Sequence, residues 1–208
     1  MTPTPRFDCL ATGLDVQPII DRIESMPELW AEITARQEYT GSAHKDTECI
    51  YARGPYSFTP YYYLYDLGSY DYPAMDKLGD VLIPVLRPLL TDVLCVAELG
   101  RVLIVNLKAG GKIKPHIDQG KYADHFARFH VALTSNDHCM LEVAGDQAAM
   151  KPGEAWWFDH KQQHSAFNLG ATDRWHIILD AVSPLFPVGK VPVSIHPATT
   201  VASSGVTP

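Results

Sequence analysis

Seven short runs between residues 101 and 182 confine this chain to a small set of folds: RVLIVNLK, KPHID, ARFHVALTS, CMLEVAG, EAWWFD, HSAFNL and RWHIILDAV. Runs of this length, rich in β-branched and aromatic residues and separated by turns, read as strands. So many at close spacing need a sandwich or a barrel. The last run says most. Side chains alternate along a strand, so Arg174, His176, Ile178 and Asp180 share one face, with Trp175, Ile177, Leu179 and Ala181 on the other. The second face is wholly apolar; the first carries two basic groups and an acid. ARFHVALTS repeats the pattern, with Arg128, His130 and Ala132 set against Phe129, Val131 and Leu133. An interior that accepts Arg174 must supply it with an anion. Two such strands predict one positively charged cavity suited to a dianion, in a chain whose formal charge is −7.

The rest of the chain frames this β-rich core. Residues 1–16 read as irregular. QPIIDRIESMPELWAEITARQ reads as one or two amphipathic helices, with stripes of Ile19, Ile20, Ile23 and of Leu29, Trp30, Ile33. Ser25 and Glu28 resemble a capping box, with Pro27 in the first turn. Residues 44–72 hold eight of the ten tyrosines among Gly and Pro, which suits strands and loops better than helix. The leucine-rich stretch MDKLGDVLIPVLRPLLTDVL predicts a helix kinked or divided at Pro84 and Pro88. We therefore expect a single domain over 1–183, helical or mixed to residue 98 and β-rich over 99–183. A Pro/Ser/Thr-rich, flexible tail follows over 184–208.

Composition narrows the partners. Without a Lys/Arg-rich run, nucleic acid and anionic lipid are poor candidates. Cys9, Cys49, Cys95 and Cys139 form no CxxC pair, which argues against structural zinc and for free thiols in a reducing compartment. The first residues lack the basic start and apolar run of a signal peptide, and no apolar stretch approaches the ~20 residues that span a bilayer. The expected location is the cytoplasm.

Chemistry enters at KPHIDQG, just after the turn-forming KAGGK. On an extended strand His116 and Asp118 would face one space. Either His160 or His164, in WWFDHKQQHSAFN, can complete a set of two imidazoles and one carboxylate, which is the facial triad of non-haem iron(II) oxygenases. Its open positions admit oxygen and a bidentate cosubstrate. A dicarboxylic 2-oxoacid would need a basic anchor for its far end, and Arg174 lies ten residues after His164, enough for a hairpin to an adjacent strand.

The ordered pieces PHID, RFHVAL and GEAWWFDHKQQHSAFNLGATDRWHIILD resemble the aspartyl/asparaginyl β-hydroxylase family of Fe(II)/2-oxoglutarate dioxygenases over roughly residues 100–183, with a weaker echo in HKDTECIYAR. The resemblance implies a mainly β fold with flanking helices, a double-stranded β-helix (jelly-roll) core of the cupin type. It implies that His116 and His164 ligate iron, that Arg174 pairs with the distal carboxylate of 2-oxoglutarate, and that Arg128 and His130 contact its chelating end. Asp118 departs from the best-known animal members, which lack a carboxylate there; it makes this chain an ordinary His116–Asp118–His164 triad. A serine those members use near the cosubstrate is replaced by Val105.

The expectation is thus a 2-oxoglutarate-dependent dioxygenase that hydroxylates an unactivated C–H bond, with Fe(II) as metal and ascorbate as a candidate reductant. Its partners would be oxygen and a small-molecule or peptide substrate, most naturally an amino acid or an Asp/Asn-type residue. The rivals are a cupin-type metal-binding isomerase or sensor, and a non-catalytic module that uses the tyrosine-rich surface. Among lesser candidates, His160 reads as a surface or supporting residue and His176 as a satisfied core histidine or a substrate contact. Asp159 and Asp180 read as structural or orienting groups, Arg53 as a candidate at the cavity mouth, and TPYYYLYDLGSYDYP as a half-buried strand and turn or a lid.

Overall fold

Every run read as a strand between residues 98 and 182 is one. The computed structural model describes residues 6–38, 42–190, 192–193 and 199–200. The strands are β1 (Phe7–Thr12), β2 (Thr47–Gly54), β3 (Tyr70–Asp71), β4 (Glu98–Leu107), β5 (Lys112–His116), β6 (Ala127–Ala132), β7 (Cys139–Val143), β8 (Asp146–Ala148), β9 (Ala155–Phe158), β10 (His164–Asn168), β11 (Arg174–Val182) and β12 (Thr199–Thr200). They form an eight-stranded sheet, ordered β12-β1-β9-β6-β11-β4-β2-β3, and a four-stranded sheet, ordered β5-β10-β7-β8. Pairing is antiparallel throughout except between β1 and β12. Two such sheets are the expected jelly roll.

The helices are α1 (Gln17–Glu24), α2 (Ala35–Glu38), α3 (Pro60–Leu64), α4 (Pro73–Pro88) and α5 (Gly120–His125), with a 3-10 turn over Pro27–Ala31. Ile19, Ile20 and Ile23 of α1 and Leu78, Leu82 and Leu86 of α4 pack on the apolar face of the large sheet, against Ile177 and Leu179 of β11, Phe129 and Val131 of β6 and Ile104 of β4. The alternation in RWHIILDAV therefore decides which side the helices cover. Trp175 lies on this side too, its ring 5.3 Å from that of Trp30.

Several local expectations are corrected. Residues 7–12 are not irregular: β1 pairs with β9. Ser25 does not cap the following turn; its hydroxyl donates to the Arg22 carbonyl at 2.7 Å and closes α1 instead. α4 runs undivided through Pro84, while the expected division does fall at Pro88, where α4 ends and a π-type turn over Leu89–Val93 follows. The tyrosine-rich segment is not wholly strand and loop, because it contains α3. β11 ends at Val182, near the expected domain limit, yet Phe186 beyond it is buried against Phe129 and Trp157. The rest of the tail, residues 191, 194–198 and 201–208, lies outside the described residues. Cys9, Cys49, Cys95 and Cys139 are all free thiols. Among the described residues no helix is long and apolar enough to cross a membrane.

Candidate active site

The KAGGK turn carries the chain out of the large sheet and into the small one. Gly110 takes a left-handed φ of +73°, and the Gly111 amide donates to the Lys108 carbonyl at 2.9 Å. β5 then pairs with β10 so that His116 stands directly across from His164. Cross-strand neighbours on one face touch, and the two imidazole rings lie 4.3 Å apart. A sequence separation of 48 positions is thus closed by register alone.

Both rings are set for the same task. Nδ1–H of His116 donates to the Lys114 carbonyl at 2.7 Å, and Nδ1–H of His164 donates to the Gln162 carbonyl at 2.9 Å. Each bond fixes the proton on Nδ1 and leaves the Nε2 lone pair free. Burial lowers the proton affinity of both, His164 down to about 4, so both rings are neutral donors near neutrality.

Asp118 lies just past the end of β5, not within the strand as KPHID suggested. The DHKQQH turn holds it: its amide donates to the His160 carbonyl at 3.3 Å, and Lys161 Nζ donates to its carbonyl at 2.8 Å. Its Oδ1 is 3.7 Å from His116 Nε2. Ligating atoms of His116, Asp118 and His164 all lie within 4.8 Å of one another. Burial alone would raise the Asp118 carboxyl, but Arg128 and the surrounding histidines outweigh it and hold it well below the usual carboxylate range. One anionic oxygen ligand and two neutral nitrogens, with one side open to a cavity, make a donor set that suits iron(II). His160 does not belong to it. Its side chain is buried, not on the surface, and Nε2–H donates to the Ala123 carbonyl at 2.9 Å.

β6 and β11 pair with Arg128 opposite Asp180. Arg128 donates from Nε to Asp180 at 2.8 Å and from Nη1 to Asp118 at 2.5 Å. Asp180 thus orients the guanidinium that orients Asp118. Arg128 was expected against the cosubstrate; here it is engaged by two carboxylates. His130 is buried near His176, with Nδ1 atoms 3.4 Å apart.

Arg174 sits at the other end of β11, about 20 Å along the strand from Asp180. Its partner strands are β4 and β6, so the link from β10 to β11 passes between sheets and is no hairpin between neighbours. Only 5% exposed, Arg174 donates from Nε to His176 at 2.9 Å and has no carboxylate within ion-pair distance among the described residues. Burial pushes its guanidinium down to about 10. A buried cation without a counter-ion is costly, and an acid of the 2-oxoglutarate type would relieve it.

Three further side chains belong to the site and were not foreseen. A cavity of roughly 450 Å³ beside His116 and Asp118 is lined by Arg36, His44 and Arg101 as well as Arg128. Arg101 opens the run RVLIVNLK, and the alternation used on RWHIILDAV would have put it inside with Leu103 and Val105. Arg36 gave no such signal, since a four-residue helix has no readable period. Arg53, in contrast, is no part of the cavity; it pairs with Asp71 at 2.6 Å across β2 and β3. Asp159 accepts from the Lys161 amide at 3.1 Å and is structural. Phe58, Pro60, Tyr63 and Leu64 form the cavity's outer wall. α3 can lie that close because Gly120 (φ +91°) has no Cβ, which would come within 2.5 Å of the Leu64 carbonyl. That is the use of the glycine in KPHIDQG.

The family model for aspartyl/asparaginyl beta-hydroxylases matches residues 58–184, more than half of the chain. The chain belongs to the aspartyl/asparaginyl β-hydroxylase family. It is a 2-oxoglutarate-dependent hydroxylase, which sets aside the reading as a non-catalytic module. Solved structures agree on the fold. A 2OG-Fe(II) oxygenase family oxidoreductase from Burkholderia pseudomallei is 12% identical over 85% of this chain and 82% of its own, with a TM-score of 0.50. The viral collagen prolyl hydroxylase of Paramecium Bursaria Chlorella virus-1, solved with 2OG, is 13% identical over 86% and 97%, with a TM-score of 0.51. A prolyl hydroxylase from Trichoplax adhaerens, solved with a hypoxia inducible factor peptide, is 11% identical over 86% and 84%, with a TM-score of 0.52. No curated protein matches the sequence.

Proposed function

We propose that this hydroxylase holds iron(II) through His116, Asp118 and His164, anchors the distal carboxylate of 2-oxoglutarate on Arg174, and hydroxylates a C–H bond of an amino acid or of an Asp/Asn-type residue in a peptide. The observation that carries the cosubstrate assignment is Arg174, a buried guanidinium with no carboxylate beside it among the described residues. Bound iron would supply oxygen activation, with oxygen consumed, 2-oxoglutarate converted to succinate and carbon dioxide, and one oxygen atom passed to the substrate as hydroxyl.

The chain's residues do the positioning. His116 and His164 present Nε2 because their Nδ1 protons are committed to backbone carbonyls. Asp118 stays anionic because Arg128 faces it, and Arg128 stays in place because Asp180 holds it. His176 lies against Arg174 and His130 lies beside His176; burial keeps both neutral, so neither competes with Arg174 for the acid. A metal-binding jelly roll without oxygenase chemistry would leave Arg174 without a task. The test is succinate formation from 2-oxoglutarate by the purified protein with iron(II), oxygen and ascorbate as reductant, with and without candidate amino acids and peptides. Metal binding without any succinate would overturn the proposal.

A further inference from the structure

The cavity beside the ligand cluster carries positive charge that the cosubstrate does not use. Of its three arginines, Arg128 is neutralised by Asp118 and Asp180. The other two are not. Arg36, 7% exposed, meets His44 Nδ1 at 3.2 Å through Nη2, and its buried Nε has no partner. Arg101, 3% exposed, lies 3.7 Å from the centre of the Tyr122 ring and 4.5 Å from that of Tyr63. Its Nη2 donates to the Tyr63 carbonyl at 2.7 Å, while its buried Nε has no partner either. Neither has a carboxylate within ion-pair distance among the described residues. His44 offers no charge: burial, and then Arg36 beside it, keep it neutral. Buried guanidiniums with idle donors are costly until a ligand brings anions to them, and their fork geometry selects carboxylate or phosphate.

2-Oxoglutarate cannot serve both purposes, because its two carboxylates are already used, one at Arg174 and one at the metal. We propose that this cavity takes as substrate a small free acid with two anionic groups, one held by Arg36 and one by Arg101, its carbon chain lying against Phe58, Leu64 and Ile117. The inference rests on the reading of function above and narrows its substrate. At roughly 450 Å³ the cavity is near the small end of the range for small-molecule sites. An aspartyl residue inside a peptide brings one carboxylate and two neutral amides, and would leave one guanidinium unanswered.

The test uses the full chain loaded with zinc(II), which holds the site without turnover, and calorimetric titration first with 2-oxoglutarate and then with a panel of acids. The panel is aspartate, glutamate and their N-acetyl forms, set against the matching amides and an aspartyl peptide capped at both ends. At least one diacid is expected to bind about tenfold or more tighter than its amide and than the peptide. Arg36→Gln and Arg101→Gln should each weaken that diacid by roughly ten- to a hundredfold, and the Lys variants, which keep the charge, should recover part of the loss. The proposal is overturned if no diacid binds, if an amide or the peptide binds as tightly, or if both Gln variants bind the diacid like the parent. Failure of the parent to bind 2-oxoglutarate sinks the reading of function and this inference with it. Normal 2-oxoglutarate binding without discrimination among the acids sinks this inference alone.

Discussion

The two faces of β11 are made by the same nine residues and do opposite work. Ile177, Leu179 and Ala181 are fully buried under α1 and α4, and their contribution is removal of apolar area from water. Arg174, His176 and Asp180 are buried to almost the same degree, yet each is charged or polar, and each needs a partner. Asp180 has Arg128; Arg174 has the neutral His176 but no carboxylate among the described residues. The apolar face is therefore complete as folded, whereas the inner face carries at Arg174 a buried charge that no carboxylate among the described residues neutralises. Stability is concentrated on one side of the strand and function on the other.

Substitutions on the two faces should separate cleanly. The largest effect is expected from His164→Ala on the inner face. It should abolish iron binding and turnover, a loss beyond the roughly 10- to 100-fold typical of supporting residues, measured by metal titration and succinate release; retained turnover would remove His164 from the ligand set. On the helix-covered face, Leu179→Ala should lower unfolding free energy by about 2–5 kcal/mol. The variant that remains folded should keep the parent's 2-oxoglutarate dependence, so a shifted dependence would break the division between faces.

Arg174→Ala sharpens the contrast, because it should raise the 2-oxoglutarate requirement by roughly ten- to a hundredfold while leaving iron affinity alone. Thermal unfolding of the metal-free variant should match or exceed that of the parent, since the deletion removes an uncompensated buried charge. A marked fall in melting temperature would mean that Arg174 is structural.

The smallest effect expected is on pH. His130 and His176 are neutral in the folded state, with proton affinities pushed well down first by burial and then by Arg174. Above about pH 6.5 both folded and unfolded chains hold them neutral. Below that value the unfolded chain takes up protons that the folded chain refuses, so stability falls as pH drops. Denaturant titrations of the metal-free protein between pH 8 and 5 should show it, and a flat profile would place a counter-ion beside these rings.

Much was legible because alternation has a period of two and the turns are marked by glycine. ARFHVALTS and RWHIILDAV showed as sequence alone their strands, their faces and a buried basic lining. The triad could be read as a set of residue types, but its assembly could not. His116 meets His164 only because β5 and β10 pair in one register, and Asp118 is fixed by the His160 carbonyl and the Lys161 side chain in a turn more than forty positions later. Arg53 looked promising and Arg36 gave no signal, yet a neighbouring strand took Arg53 into an ion pair with Asp71 while Arg36 lines the cavity.

The sequence by itself determined the β-rich core, the apolar sides of β6 and β11, and the identity of the metal-binding side chains to be tested. Those follow from local periodicity and from the chemistry of single residues. Only the tertiary structure decided which charges are left without counter-ions among the described residues. Arg128 is neutralised and Arg36, Arg101 and Arg174 are not, because pairing depends on what distant segments bring within a few ångströms, and no local pattern encodes that distance.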